Sequence, residues 1–206
     1  LCSLNHPNIL KIYGVVSHKG WLVMELCGLG SVKSCMRNSQ RLPPERLLRI
    51  ANDIACGVSY LHDPSISIIH GDLKLDNVLL RDDGSAVLCD FGMSEAKNRS
   101  QTMTRAVPEN TKVTMQWTAP ELFQGQQKTV SSDIYALGVT LFELFEDREP
   151  FEGFSDALVM HNVINGARPT LTHTPVEIQN LITAAWDQSP KLRPSAAQIA
   201  CLLAKC

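Results

Sequence analysis

The sequence lacks several things, and each absence removes a class of function. Neither sign of charge is in surplus: 19 Lys and Arg stand against 21 Asp and Glu, a net charge of −2. A dedicated nucleic-acid binder or a polybasic membrane-surface protein carries a basic footprint, and this chain has none. Apolar runs meet a charge before they reach membrane-spanning length, as the stretch from Ile134 to Phe145 does at Glu143. The seven cysteines are odd in number and never spaced C-x-x-C, which argues against a disulfide framework or a structural zinc site. No two of the six histidines sit four residues apart as a helical metal pair would. No basic-then-apolar segment opens the chain, which does not begin with Met. The reading is a piece of a longer protein with reduced thiols, in a cytoplasmic setting. Internal repeats and low-complexity tracts are also missing.

What is present is ordinary globular material: 206 residues, 44% hydrophobic and 19% charged, enough to bury a sizeable core. Ile9 to Val16 and Trp21 to Cys27 read as a strand hairpin. Gly28, Gly30 and Ser31 break the pattern. Pro43 and Pro44 suit a helix entrance, and apolar residues recur at helical spacing from Leu47 to Leu61, so a helix is expected from Pro44 to His62. Short apolar runs follow at Ile66 to Ile69, Val78 to Leu80 and Ala86 to Cys89, the last two joined by a turn at Asp82-Asp83-Gly84. The 32 residues from Asp90 to Glu121 show little periodicity, as a functional loop would. Ser131, Ser132 and Asp133 offer caps for a helix from Ile134 to Phe145 that is apolar on nearly every side and therefore central. Further helices are expected from Asp156 to Asn165, Pro175 to Trp186 and Ser195 to Lys205.

Ionisable and amide groups collect between His70 and Asp90. Asp72, Lys74 and Asn77 lie close in sequence, and a strand–turn–strand unit returns Asp90 beside Asp72. Magnesium takes hard oxygen ligands, commonly one or two carboxylates together with phosphate oxygens. Lys74 is suited to neutralise a phosphate, and Asn77 to add a carbonyl oxygen to a metal.

These residues resemble the protein kinase family. His70-Gly71-Asp72-Leu73 with Asn77 is similar to its catalytic loop, Asp90-Phe91-Gly92 to its metal-binding motif, and Ala119-Pro120-Glu121 to the end of its activation segment. Asp133 and Gly138 resemble the start of the central buried helix, and Arg193 the late arginine that pairs with Glu121. The resemblance implies an α+β, protein-kinase-like fold: a mainly helical large lobe plus a remnant of the small-lobe sheet. It implies one incomplete kinase domain over residues 1–206, with 1–27 as small-lobe remnant and hinge and 28–206 as large lobe. ATP and Mg²⁺ are the implied cofactors, and proteins with Ser or Thr acceptors the implied partners, with neither nucleic acid nor membrane insertion. Asp72 would orient and deprotonate the acceptor hydroxyl, Lys74 contact the moving phosphoryl group, and Asn77 and Asp90 hold Mg²⁺. Thr114 would contact Asp72 and Lys74. Leu79 would lie under the adenine, Met24 guard the rear of its pocket, and the backbone at Glu25 and Cys27 bond the base. Lys74 and Thr114 resemble serine/threonine kinases, whereas Trp117-Thr118-Ala119-Pro120-Glu121 and Arg193-Pro194-Ser195 look like the tyrosine-kinase side. The combination resembles the tyrosine-kinase-like group.

Two departures matter. Gly71 stands where most of the family has Arg, so activity is expected not to depend on phosphates at Thr102, Thr104 or Thr111. The phosphate-covering glycine loop, the strand lysine and its helix glutamate are not in this sequence, so the chain alone is expected to bind ATP poorly. The alternative is a catalytically inactive kinase-like interaction module.

Overall fold

Residues 4–38, 41–90 and 115–206 are described by the structure, a computed structural model. Half-buried and exposed positions alternate along β1 (Ile12–Val16), which pairs antiparallel with β2 (Trp21–Met24). Gly20, at φ 63°, supplies the left-handed residue the turn between them needs. The expected hairpin is present with shorter ends. Residues 8–10 leave it for a second hairpin, where Leu10 N–H donates to Leu88 O at 2.9 Å and Leu88 N–H to Asn8 O at 2.9 Å. That second hairpin is β3 (Val78–Leu80) with β4 (Ala86–Leu88), closed by a turn with Gly84 at φ 79°.

Between the hairpins lie α1 (Val32–Asn38) and α2 (Pro44–Leu61). Pro43 caps α2 and Pro44 opens it, where a missing N–H costs nothing. Leu47, Ile50, Ala51, Ile54, Ala55, Val58 and Leu61 form its buried stripe. Gly57 sits on that side because a Cβ there would meet Asn8 O at 2.8 Å and Leu88 Cδ1 at 2.9 Å. The apolar run at Ile66 to Ile69 is not a strand: Ser67 takes φ 49° and Ile68 N–H turns back to Leu61 O at 2.8 Å.

After the single turn α3 (Pro120–Phe123) comes α4 (Val130–Glu146), in which every residue from Ser132 to Glu146 is buried. Each large apolar side chain so buried contributes roughly 1.5–3 kcal/mol. The cap differs from expectation. Thr129, not Ser131 or Asp133, closes the helix: its side chain accepts from Ser132 N–H at 3.2 Å while Ser132 Oγ accepts from Thr129 N–H at 3.0 Å. The capping box starts the helix earlier and leaves Asp133 for another use. The remaining helices are α5 (Asp156–Ile164), α6 (Val176–Ala185) and α7 (Ala196–Leu203). α6 packs on α4, and α7 on α2. Arg193 Nη1 and Nη2 grip Glu121 Oε1 and Oε2 at 2.6 and 2.8 Å, as expected, tying α3 to the start of α7. No helix among the described residues is long and apolar enough to cross a membrane.

Candidate active site

The segment 70–77 carries no regular structure until the single 3-10 turn Leu75–Asn77, so its shape is imposed by what holds its backbone. The holder is α4. Asp133 accepts from His70 N–H at 2.7 Å and from Gly71 N–H at 2.8 Å. Thr140 Oγ1 shares its proton between Ala136 O at 2.7 Å and Leu73 O at 3.3 Å, and Glu143 Oε2 accepts from Leu75 N–H at 3.4 Å. Positions 133, 140 and 143 fall on one side of a helix. Ten residues of helix rise about 15 Å, and five residues of extended chain reach about 17 Å. The two lengths match, so the segment runs alongside α4 with its backbone groups met in order.

Buried supports stand behind this contact. His62 Nε2 lies 2.9 Å from the same Asp133 carboxylate. Lys33 of α1 pairs with Glu143 and, at 3.2 Å, with Glu149. Burial would lower the Lys33 pKa, but the two carboxylates outweigh it and raise the pKa above the ordinary lysine value.

On the other side of the segment the polar groups converge. Asn77 Nδ2 donates to Asp72 O at 2.7 Å and to Asp72 Oδ2 at 3.0 Å, and Lys74 Nζ lies 3.2 Å from Asp72 Oδ2. With its nitrogen committed to Asp72, Asn77 turns its amide oxygen elsewhere, which suits a hard cation. Asn77 O in turn accepts from Cys89 N–H at 3.0 Å. That bond ties the end of β4 to the loop, and Asp90 follows at once. Asp90 is exposed and held at φ 59°, a conformation that costs a non-glycine residue free energy and recurs at functional sites. His70 is fully buried, and burial lowers its pKa against the opposing pull of Asp133, Asp72 and Asp90. As a buried neutral ring accepting from Asp72 N–H at 3.3 Å, His70 is a scaffold and not a base.

The remaining expected positions divide. Leu79 and Cys27 pack against a small buried cluster of Leu10, Val87 and Cys89, an apolar floor beside Asn77 and Asp90. Burial pushes the Cys89 thiol up to about 12, so it packs as a small hydrophobe. Met24 ends β2 and is exposed, outside that cluster. Glu25 N–H donates to Lys11 O at 2.9 Å, and its carboxylate grips Arg81 Nε at 2.6 Å and Nη2 at 3.0 Å. Thr114 and Phe91 lie outside the described residues, as do Thr102, Thr104 and Thr111. Sequence reasoning missed His62, Lys33, Thr140, Glu143 and Lys128. Their roles rest on partners 57 to 110 positions away, and no local spacing signals them.

The donor set suits a magnesium ion. Asn77 through its amide oxygen and Asp90 through its carboxylate offer the hard oxygen donors that Mg²⁺ prefers. A site with few protein ligands suits Mg²⁺, which shares its coordination with water and substrate phosphates.

Comparison with known proteins shows the family. Residues 1–203 match the family described as protein tyrosine and serine/threonine kinase. A Dictyostelium discoideum protein named as a probable LIM domain-containing serine/threonine-protein kinase is 35% identical over 210 residues, covering 100% of this chain and 31% of that protein. Human mitogen-activated protein kinase kinase kinase 7 is 34% identical over 207 residues, covering 97% of this chain and 33% of that protein. The chain spans only 12% to 34% of the length of the curated relatives it matches. With the loop hung along a buried helix, the carboxylate–lysine–asparagine constellation and a match over nearly the whole length, the chain belongs to the protein tyrosine and serine/threonine kinase family.

Proposed function

We propose that the protein carrying this chain is a serine/threonine kinase that transfers the γ-phosphoryl group of ATP to Ser or Thr hydroxyls of protein substrates in the cytoplasm. The observation that carries this reading is the joint presence of Asp72, Lys74 and Asn77 on one loop, to which Cys89, the residue before Asp90, is bonded through its N–H. An interaction module has no use for that set. Phosphoryl transfer needs positioning and charge neutralisation more than covalent chemistry, and these groups supply both.

Asp72 accepts the proton of the acceptor hydroxyl as its oxygen bonds to the γ-phosphorus and the bond to the β-phosphate oxygen breaks, releasing ADP. Lys74 places its ammonium against the moving phosphoryl oxygens. Asn77 orients the Asp72 carboxylate through Nδ2 and offers its amide oxygen, with an Asp90 oxygen, to Mg²⁺. When bound, Mg²⁺ offsets the negative charge of the ATP phosphates. Thr114 acts beside Asp72 and Lys74 in this reading. Leu79 and the backbone of Glu25 and Cys27 receive the adenine, with Met24 at its rear. Residues 1–27 are the small-lobe remnant and hinge, and 28–206 the large lobe of one kinase domain.

The test is phosphoryl transfer from labelled ATP to a mixed protein substrate by the full-length protein, followed by phosphoamino-acid analysis. Phosphoserine and phosphothreonine are expected. Asp72→Asn should lower the rate by about 10²–10⁴-fold, the span expected of a lost general base. Its thermal stabilisation by Mg²⁺ and ATP should persist. Labelled tyrosine would overturn the substrate class, and a wild type no faster than Asp72→Asn would leave the interaction module.

A further inference from the structure

Gly71 has no side chain, yet both of its backbone groups are held, and by the same helix start. Its N–H donates to Asp133 Oδ1 at 2.8 Å, and its carbonyl accepts from the Lys128 ammonium. Lys128 immediately precedes the Thr129 cap of α4, five residues before Asp133. The carbonyl of Gly71 and the N–H of Asp72 belong to one peptide unit, and that N–H donates to His70 Nδ1 at 3.3 Å. The unit is thus clamped at its oxygen by Lys128 and at its nitrogen by His70. Gly71 itself sits at φ 75°, a left-handed conformation glycine adopts without steric cost, and with no Cβ its backbone has other conformations within reach. Rotation about the Gly71 backbone bonds would displace Asp72 and carry its carboxylate away from Asn77 and Lys74.

We propose that Lys128 is a positioning residue: its ammonium, through the Gly71 carbonyl, sets the orientation of the Asp72 carboxylate for phosphoryl transfer. The proposal rests on the kinase reading above for its catalytic consequence, but its physical core is a clamp that exists whatever the chemistry. A charge-assisted bond to a carbonyl is among the stronger protein hydrogen bonds, and here it acts on the most pliable residue of the loop. Lys128 is exposed and contributes nothing to the core, so its replacement tests positioning without threatening the fold.

The experiment compares wild type, Lys128→Met and Lys128→Arg in the full-length protein, with amide hydrogen exchange over residues 70–77 read beside steady-state kinetics. Lys128→Met should speed exchange at the Asp72 amide and lower kcat by about tenfold, the scale of one lost charge-assisted bond. KM for ATP should stay within about twofold and the melting temperature should be unchanged, because nucleotide contacts and core are untouched. Lys128→Arg should recover most of kcat, since a guanidinium also donates to a carbonyl. Unchanged exchange in Lys128→Met overturns the proposal whether or not the protein is a kinase. Unchanged kcat in an active enzyme overturns it equally, as does a Lys128→Arg variant no better than Lys128→Met. Faster exchange in a protein whose wild type does not transfer phosphate defeats the kinase reading and, with it, the catalytic role, and leaves the clamp standing as a structural contact.

Discussion

Individual charged side chains in this molecule act mainly by holding backbone. Glu146 ends α4 and takes five donors from one loop: Thr172 N–H at 2.8 Å, Thr172 Oγ1 at 2.6 Å, His173 N–H at 2.9 Å, Thr174 N–H at 3.1 Å and Thr174 Oγ1 at 2.6 Å. Burial would push its carboxyl up, but these donors outweigh burial and hold it at about 2. The folded-state pKa is therefore depressed. The stability it contributes is complete above the ordinary carboxylate range and is lost as pH falls through about 4.5 towards 2. Glu146→Gln should cost about 2–3 kcal/mol near neutral pH. It should also flatten the fall of stability between pH 5 and 2, as read by urea unfolding at a series of pH values. An equally steep acid limb in the variant would sink this account. Asp72, Lys74, Asn77 and Asp90 were readable as candidates because the first three share one short motif and Asp90 opens a second. Glu146 was not, because its donors come from residues 26 to 28 positions later.

At the scale of elements, α4 is the ruler on which the active-site loop is laid, and its neighbours are correspondingly close. Gly138 faces α6, where an added Cβ would meet Ala185 Cβ at 2.9 Å and Trp186 N at 3.2 Å. Helix propensity alone predicts that Gly138→Ala stabilises by about 1 kcal/mol. The clash is with a Cβ and a backbone nitrogen, neither of which can swing aside, and overpacking of this kind costs about 1–3 kcal/mol. Packing wins, so Gly138→Ala should lower the urea midpoint. It should also reduce activity if α4 shifts against the loop. A raised midpoint would show that α6 moves freely. The existence of most elements was readable from the sequence: α2 from its proline entrance and apolar stripe, while the serine caps of the helices beginning near Asp156 and Ser195 emerge in the structure. The Ile66 to Ile69 run, read only as apolar, forms no strand, because apolar composition does not distinguish a strand from a turn. The start of α4 was misplaced because Thr129 and Ser132 bond each other, which frees Asp133 to serve the loop.

Across the whole molecule, burial is uneven. α4 is sealed from Ser132 to Glu146, whereas the β1–β2 hairpin leaves Tyr13, Val15, Trp21, Leu22 and Met24 exposed. A two-stranded hairpin with so little covered surface opens easily by itself. Its amides should exchange roughly 100-fold or more faster than those of Leu137 to Leu141 when this chain is measured alone. Comparable protection in both regions would mean that the hairpin is stabilised as firmly as the core. The sequence by itself determined the family, the order of the elements and the candidate side chains proposed to react, because motifs and hydrophobic periodicity are local patterns. Only the tertiary structure decided what holds those side chains in place. Asp133, Thr140 and Glu143 reach a loop more than 60 residues earlier, and Lys128 reaches Gly71 across 57 positions. Those partners meet because the burial of α4 brings distant chain together, and nothing in local sequence records which backbone group each will find.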